Sequence, residues 1–116
     1  MALRDIALAY YDAVDAGDNK RLLAMFHPDV VYRRGGYPAI KGSEALRDFY
    51  ENVRIIEHGK HHIDTIVCDH GEVAVRGRFT GTARDGRALS IGWADFMTFD
   101  RGLIRERVTY FFAPGV

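Results

Sequence analysis

The sequence predicts an α+β fold in which three helices cover one face of a curved antiparallel sheet. Apolar residues recur at helical spacing near the N-terminus and again around residue 50, and from His61 onward polar and apolar residues alternate as they do in strands. Because the helical segments come first and the strands last, we expect the helices on one side of the sheet. The 116 residues have the length of one domain, so residues 1–116 are expected to share one core.

Two helices are predicted before the first strand. Apolar positions at helical spacing indicate an amphipathic helix over residues 3–16. Asp18 or Asn19 then provides an N-cap for a shorter helix that extends to Phe26. Pro28 ends this second helix, because the residue before a proline is disfavoured in the helical conformation.

A short strand and a third helix follow. Residues 30–32 are apolar enough for a short strand, and residues 37–41, which contain a proline, fit the edge of a sheet. Ser43 is the expected N-cap of the third helix. The apolar stripe with which this helix would cover the sheet consists of Leu46, Phe49, Tyr50, Val53 and Ile56.

The second half of the chain predicts four long antiparallel strands. They begin at His61, and turn signals rich in Asp and Gly separate them at residues 69–71, 83–86 and 100–102. The whole sheet therefore combines these four strands with the short N-terminal ones.

Composition and motifs exclude several classes of function. Basic and acidic residues are equal at 16 each, so no field of one sign attracts nucleic acid or an anionic membrane. Charges interrupt the apolar stretch at the N-terminus, unlike in a secretion signal, and this predicts a cytoplasmic protein. Metal-ligand spacing and phosphate-binding glycine motifs are both missing from the sequence, so we expect neither a metal nor a cofactor.

Four motifs together resemble a known family. They are YYDAVDAGD at residues 10–18, FHPDVVY at 26–32, IKGSEALRDFY at 40–50 and WADFMTFDRGLI at 93–104. In this order and spacing they are similar to SnoaL-like and ketosteroid-isomerase-like proteins of the nuclear transport factor 2-like superfamily. The resemblance implies a cone-shaped sheet around an apolar pocket for a small hydrophobic molecule, cyclic or polyketide-like. Members include cyclases, isomerases, dehydratases, epoxide hydrolases and proteins without catalysis, so the fold alone does not choose a function.

The register of the last hairpin decides which side chains face this pocket. A three-residue loop with Gly102 in the left-handed conformation would place Phe99 opposite Leu103 and Asp95 opposite Arg107. A two-residue turn would instead set Asp95 against Val108 and reverse the facing of the last strand. We expect the first arrangement, in which the inward residues are Trp93, Asp95, Met97, Phe99, Arg105, Arg107, Thr109 and Phe111.

Asp95 is the first candidate for catalysis. As an acid in an aromatic site it could have a raised pKa and exchange protons near neutral pH, with Trp93 beside it. The alternative is a buried ion pair between Asp95 and Arg107 that only fixes the register. A further alternative lets Arg107 bind a substrate carboxylate or phenolate.

The resemblance implies oxyanion-hole roles for two residues and argues against two of the family's reactions. It aligns Tyr10 and Asp95 with the oxyanion-hole residues of steroid isomerases, but the position of their catalytic carboxylate falls at Arg33. The last-strand acid of the epoxide hydrolases corresponds to Thr109. Neither of these two reactions is therefore expected, and the remaining predicted substrate contacts are Trp93, Met97, Thr109 and Phe111.

His61 and His62 open the first long strand, so one of them should face the pocket. Dehydratases of the resembled fold place a histidine there. We assign His62 an acid–base role beside Asp95 and Tyr10, and His61 a contact with the substrate. The alternation of side chains along a strand leaves open which of the two points inward.

Three functions remain in competition. The first is an acid–base enzyme acting on a hydrophobic cyclic substrate by cyclisation, isomerisation or dehydration. The second is a binding protein without chemistry, and the third is a dimerisation module whose cone is filled by Trp93, Met97 and Phe111. The outer face of the sheet is too apolar for water at Phe96, Val108 and Tyr110, and a homodimer through that face is expected.

Overall fold

The computed structural model describes residues 2–114, and its elements have the predicted α+β order. The helices are α1 Leu3–Asp15, α2 Asn19–Leu23 and α3 Ser43–Asp48, and α3 continues as a π-helical segment, Phe49–Val53. The strands are β1 Phe26–Arg34, β2 Ile40–Lys41, β3 Ile56–Asp69, β4 Glu72–Ala83, β5 Ala88–Asp100 and β6 Leu103–Phe111. None of the helices in this range combines the length and apolarity needed to cross a lipid bilayer.

The six strands form one curved sheet in the order β2-β1-β6-β5-β4-β3. The four long strands are antiparallel neighbours, as predicted, although β3 begins at Ile56 rather than His61. The helices cover the concave face, and α1 packs mainly on β3 and β4. The prediction of a helix-covered, cone-shaped sheet is therefore confirmed.

The first strand is longer than predicted and pairs in parallel. The second helix stops at Leu23 instead of Phe26, and β1 runs over nine residues from Phe26 to Arg34. Its partner is β6, with a register irregularity between Phe26 and Val31. Pro28 lies inside that irregularity, and since proline has no N–H to donate to a ladder, the strand tolerates it only there.

The third helix also differs from the prediction. Gly42, at φ 88°, is the N-cap, whereas the Ser43 hydroxyl donates to the Pro28 carbonyl at 3.3 Å. The α-helical turns end at Asp48, and the widened π segment turns Phe49 and Tyr50 inward. The stripe thus ends before Ile56, which already belongs to β3.

The expected three-residue loop of the last hairpin is wrong; the alternative two-residue turn is present, but neither predicted register gives the observed partner of Asp95. Arg101 and Gly102, at φ 53° and 80°, form a two-residue turn of the kind that needs two positive φ angles. Asp100 pairs with Leu103 and Phe99 with Ile104, but Thr98 pairs with Glu106. Arg105 is the extra residue of a β-bulge, which moves the rest of the register by one position.

The bulge restores the predicted facing by a different route. Asp95 lies opposite Thr109, and Arg107 lies opposite Met97, diagonally next to Asp95. Both Asp95 and Arg107 therefore face the interior, as the sequence predicts. Arg105 does not, because the bulge turns it outward, where its guanidinium donates to the Asp29 carbonyl.

One glycine lets the two central strands accommodate the tryptophan. Gly77 pairs with Trp93, and a Cβ at Gly77 would lie 2.7 Å from the indole ring. The indole covers this glycine and stays fully buried. The absence of a side chain at Gly77 thus fixes where the ring lies at the base of the cavity.

Candidate functional site

A narrow cavity opens between the helices and the concave face of the sheet. It offers about 30 Å³ to water-sized molecules, enough for ordered water or a few ligand atoms. Its walls are mainly aromatic, with Tyr10, Tyr32, Phe49, Tyr50, Phe79, Trp93 and Phe111. The remaining lining residues are Ile55, Ile56, His61, Thr109 and the three arginines Arg34, Arg54 and Arg107.

Beneath the cavity, Asp95 and Arg107 form a fully enclosed ion pair. Arg107 Nη2 and Nε lie 3.0 and 3.2 Å from the two carboxylate oxygens. The Tyr11 hydroxyl at 2.5 Å and the Trp93 Nε1–H at 2.8 Å donate to Oδ2, and the Thr109 hydroxyl donates to Oδ1. Asp95 has no exposed surface. Its lone pairs are therefore used within the protein.

The ion pair fixes the charge state of both partners. Burial would raise the pKa of Asp95, but the Arg107 charge and the hydrogen bonds from Arg107, Thr109 and Tyr11 together lower it. Burial would lower the pKa of Arg107, yet the Asp95 charge and the nearby tyrosines raise it far above its ordinary value. Asp95 thus stays ionised and carries no proton to give.

Arg107 also organises three tyrosines. Its Nη1 donates to the hydroxyl oxygens of Tyr10 at 2.5 Å and Tyr50 at 3.1 Å, and those two hydroxyls bond to each other. The guanidinium lies between the rings of Tyr10 and Tyr32, 4.8 and 4.5 Å from their centroids. The Tyr32 hydroxyl shares a 2.9 Å hydrogen bond with Thr109. A row of hydroxyls therefore follows the cavity floor.

Burial keeps the hydroxyls of Tyr10 and Tyr32 protonated. It raises the pKa of Tyr10 and Tyr32, and the Arg107 charge offsets only part of this effect. Near neutral pH the two side chains are therefore neutral. A neutral hydroxyl that accepts a hydrogen bond from an arginine is a stronger donor to a third group.

A second polar cluster joins helix α1 to strand β3. His61 Nδ1 lies 2.6 Å from Asp15 Oδ1, and the His61 backbone N–H donates to Asp15 Oδ2 at 2.9 Å. The imidazole packs among Tyr11, Phe79 and Trp93, with ring centroids 4.8 to 5.0 Å apart. Within residues 2–114, Nε2 makes no hydrogen bond, and the ring lines the cavity.

The surroundings of His61 favour the neutral imidazole. Burial lowers its pKa, while the hydrogen bond and charge of Asp15 act in the opposite direction and the charges of Arg107 and Arg54 lower it further. The carboxylate of Asp15 accepts from Nδ1–H, so the lone pair lies on Nε2. His61 therefore combines a fixed tautomer with a basic nitrogen at the cavity wall.

Comparison with known proteins agrees with this architecture. The family model of the SnoaL-like domain matches residues 7–107. The chain belongs to the SnoaL-like domain family. None of the curated proteins matches its sequence.

Solved structures of other proteins share the fold. An NTF2-like protein of unknown function from Burkholderia pseudomallei is 19% identical, with a TM-score of 0.87 and coverage of 96% of this chain and 92% of that one. A candidate SnoaL-like polyketide cyclase from Shewanella putrefaciens is 17% identical, with a TM-score of 0.82 and coverage of 96% and 90%. TerC, co-crystallised with polyporic acid, is 18% identical, with a TM-score of 0.82 and coverage of 94% and 90%.

The SnoaL-like site contains some predicted residues and excludes others. The cavity lining includes Tyr10, His61, Trp93, Arg107, Thr109 and Phe111. Asp95 lies behind the lining, which removes it as the proton donor that the sequence suggested. Met97 is buried in the core away from the cavity, and His62 lies on the outer side, 3.1 Å from the Thr80 hydroxyl. Strand alternation turns His61 inward and therefore His62 outward, so His62, for which the sequence predicts the acid–base role, does not face the cavity.

Sequence reasoning missed three residues of the site. Asp15 lies within the helix predicted over residues 3–16 and belongs to none of the predicted site assignments, but its carboxylate, one turn from Tyr11, reaches His61 on the sheet. Tyr50 belongs to the apolar stripe predicted for the third helix, which assigns it to the core. Arg54 closes the π segment at the mouth and carried no motif. A useful signal for Tyr50 was its hydroxyl, since a buried tyrosine normally finds a hydrogen-bond partner.

Removing the Asp95 charge should destabilise the protein strongly. Asp95→Asn keeps the shape but leaves Arg107 buried without its counterion, so we expect a loss of about 3 kcal/mol in the free energy of unfolding. Urea unfolding measures it. The control is Glu106→Gln, which breaks the exposed pair with Arg33 at 3.5 Å and should change the value by less than about 0.5 kcal/mol. Equal effects of the two variants would contradict the structural role of Asp95.

The ionisation of His61 should depend on Asp15. In the native protein we expect its pKa below the ordinary 6.5. Since Asp15 acts to raise that pKa, Asp15→Asn should lower it further. Because the pKa of His61 is lower in the native state than in the unfolded state, the unfolded state binds the proton more readily. The stability that the neutral imidazole contributes is therefore lost as pH falls below about 6.5. NMR titration of the imidazole measures the pKa, with Asp64→Asn on the same strand as control. A native pKa above 6.5 would contradict the burial of the ring.

Proposed function

We propose that this protein is an acid–base enzyme that works without a cofactor and moves a proton at a carbon atom next to a carbonyl group, in a small cyclic or aromatic compound. Isomerisation, cyclisation and dehydration all contain such a step. The observation that carries the proposal is His61, held by Asp15 through Nδ1, with Nε2 left for the cavity.

In this proposal His61 is the general base. Its lowered pKa keeps Nε2 unprotonated at neutral pH, so it can take a proton from the substrate carbon. Asp15 then stabilises the imidazolium that forms, as the carboxylate does in other carboxylate–histidine pairs. The aromatic walls leave little room for water around the imidazole, which strengthens its interaction with Asp15.

The hydroxyls of Tyr10 and Tyr50 would stabilise the developing enolate. They line the same cavity as His61, and Arg107 donates to both oxygens. Because one of the two hydroxyls donates to the other, one proton of the pair remains to point to a substrate oxygen. Asp95 acts as a positioning residue, because it holds Arg107 in place. The proton released at carbon returns from His61 to the product, so the enzyme ends in its starting state.

The size of the cavity suggests how a substrate enters. Only the reacting end fits the interior space of about 30 Å³, and the rest of the molecule would lie at the mouth against Phe49 and Phe111. Aromatic surfaces favour a flat ring. TerC, which shares the fold, was co-crystallised with the small organic molecule polyporic acid.

Hydrogen exchange at carbon tests the proposal without knowledge of the natural substrate. The probe is 4-oxo-4-phenylbutanamide in deuterium oxide, and NMR follows the loss of the proton signal next to the ketone. We expect His61→Gln to slow the enzyme-catalysed exchange about 100-fold or more, and Asp15→Asn to slow it as well. The rate should rise with pH through the pKa of His61 and level off near neutrality.

The matched control for this experiment is His62→Gln. This histidine is the neighbour in sequence but lies on the outer side of the sheet, so its variant should exchange the probe at the wild-type rate. Exchange that is equally fast in the wild type and in His61→Gln, with both folded by circular dichroism, would exclude His61 as the base.

A binding protein without chemistry is the second candidate function. The observation that favours it is the same small volume, since the cavity is largely filled by its own aromatic side chains. A binding protein would use the same cavity and tyrosine hydroxyls as the proposed enzyme, but it would need no proton transfer by His61. The exchange experiment separates the two, because only the enzyme depends on His61 for turnover.

We also propose that two copies pair through the outer face of the sheet. Phe96 and Tyr110 are 41% and 56% exposed and pack edge to face, and Val67 is 57% exposed. Phe96→Lys should shift the mass measured by light scattering from dimer to monomer, because a charge there opposes burial. The control Val53→Lys, at an equally exposed valine of the π segment, should leave the mass unchanged. A monomeric wild type would contradict the proposal.

A further inference from the structure

The mouth of the cavity carries positive charge. Three arginines line the cavity, and none of the described lining residues is acidic. Asp95 balances the charge of Arg107 from behind the wall. Arg54 makes no ion pair with any residue in the described range 2–114. Because the chain as a whole has a net charge of zero, this excess is local to the mouth.

Aromatic rings hold the two outer guanidinium groups at the rim. The Arg34 guanidinium carbon lies 4.6 Å from the Tyr37 ring centroid and 4.8 Å from that of Phe49, and Arg54 lies 5.9 Å from Tyr50. All N–H donors of a guanidinium lie in its own plane, so the group can contact a ring with its face and bind an anion at its edge. The rim therefore combines flat apolar surfaces with in-plane cationic donors.

We propose that the ligand of this cavity carries a carboxylate, which Arg54 binds at the mouth while the uncharged end of the ligand enters toward His61. A carboxylate is planar and matches the paired donors of a guanidinium. The adjacent rings fit the flat organic part of such an anion. The proposal deepens the proposed function and rests on it for the identity of the reacting end.

The charges inside the cavity agree with this orientation. The positive charges of Arg54 and Arg107 both reach His61, whose pKa they lower. Arg54 and His61 also line the same cavity, so a ligand whose carboxylate binds Arg54 at the mouth can direct its carbonyl end toward the imidazole. A cationic ligand would meet the Arg54 guanidinium at the entrance and is disfavoured.

Two probes of nearly the same shape test the inference. They are 4-oxo-4-phenylbutanoate and the matched neutral amide, with dissociation constants measured by NMR titration at low salt. We expect the carboxylate to bind about tenfold more tightly, the difference that one charge-assisted hydrogen bond supplies. Added salt should weaken the binding of the carboxylate and leave the binding of the amide unchanged.

Variants locate the preference at the mouth. Arg54→Gln should remove most of the tenfold preference, because it weakens the binding of the carboxylate and not that of the amide. Arg54→Lys should keep part of the preference through the retained charge. The control Arg78→Gln changes an exposed arginine of the outer face, away from this cavity, and should keep the preference intact. Both Arg54 variants change a partly exposed side chain, so they should fold.

Four outcomes would overturn the inference: equal binding of the two probes, no binding of either at millimolar concentration, equal weakening of both probes by Arg54→Gln, or displacement of the carboxylate by inorganic phosphate at equal concentration. The last would indicate a general anion site. The proposed function is tested separately. If the protein prefers the carboxylate but hydrogen exchange does not depend on His61, only the proposed enzymatic function is rejected. If exchange depends on His61 but the carboxylate is not preferred, only the proposed carboxylate ligand is rejected.

Discussion

The buried pair of Asp95 and Arg107 is the interaction on which the rest of the structure depends. Two ions without access to water are costly unless each finds further polar partners, and here the partners come from four different elements. Tyr10 and Tyr11 come from α1, Tyr50 from the π segment, and Trp93 and Thr109 from the two strands that carry the pair. The pair thereby fixes the distance between the helices and the sheet. The bulge at Arg105 is part of the same constraint, because without it Arg107 would face away from Asp95.

This constraint divides the polar residues of the interior between two tasks. Asp95, the most obvious acid of the sequence, is saturated with donors and holds other groups in place. His61 has one nitrogen bound to Asp15 and the other left for the cavity. The pKa of each is lowered, with opposite chemical results: the carboxyl group stays charged and bound to its partners, whereas the imidazole stays neutral and basic. Asp95, whose lone pairs are used within the protein, therefore supports the site, whereas His61, whose Nε2 lone pair is left for the cavity, can take part in proton transfer.

Individual residues show how far the sequence predicts this molecule. The helical stripe of α1 and the alternation of β4 and β5 follow from periodicity, which reports burial directly. The sequence does not predict the bulge at Arg105, because Ile104, Arg105 and Glu106 are compatible with both a continuous and a bulged ladder. Only the residue that pairs with Asp95 distinguishes the two registers. The parallel pairing of β1 with β6 is missed because the two strands lie about 70 residues apart, and no local pattern encodes a distant partner. Asp15 is missed for the same reason, since its role needs a histidine 46 positions away.

The narrow interior separates affinity from chemistry. A cavity of about 30 Å³ buries too few ligand atoms to bind tightly through apolar contact alone, because each buried methylene contributes only about 0.8 kcal/mol. Most of the binding energy therefore has to come from the mouth, where rings and guanidinium groups can hold the part of the ligand that stays outside. The interior then needs only to admit the reacting atoms and to present His61 and the tyrosine hydroxyls to them. Binding energy from the remote part of a substrate can in this way position the reacting end, so residues at the mouth would influence turnover without touching the atoms that react.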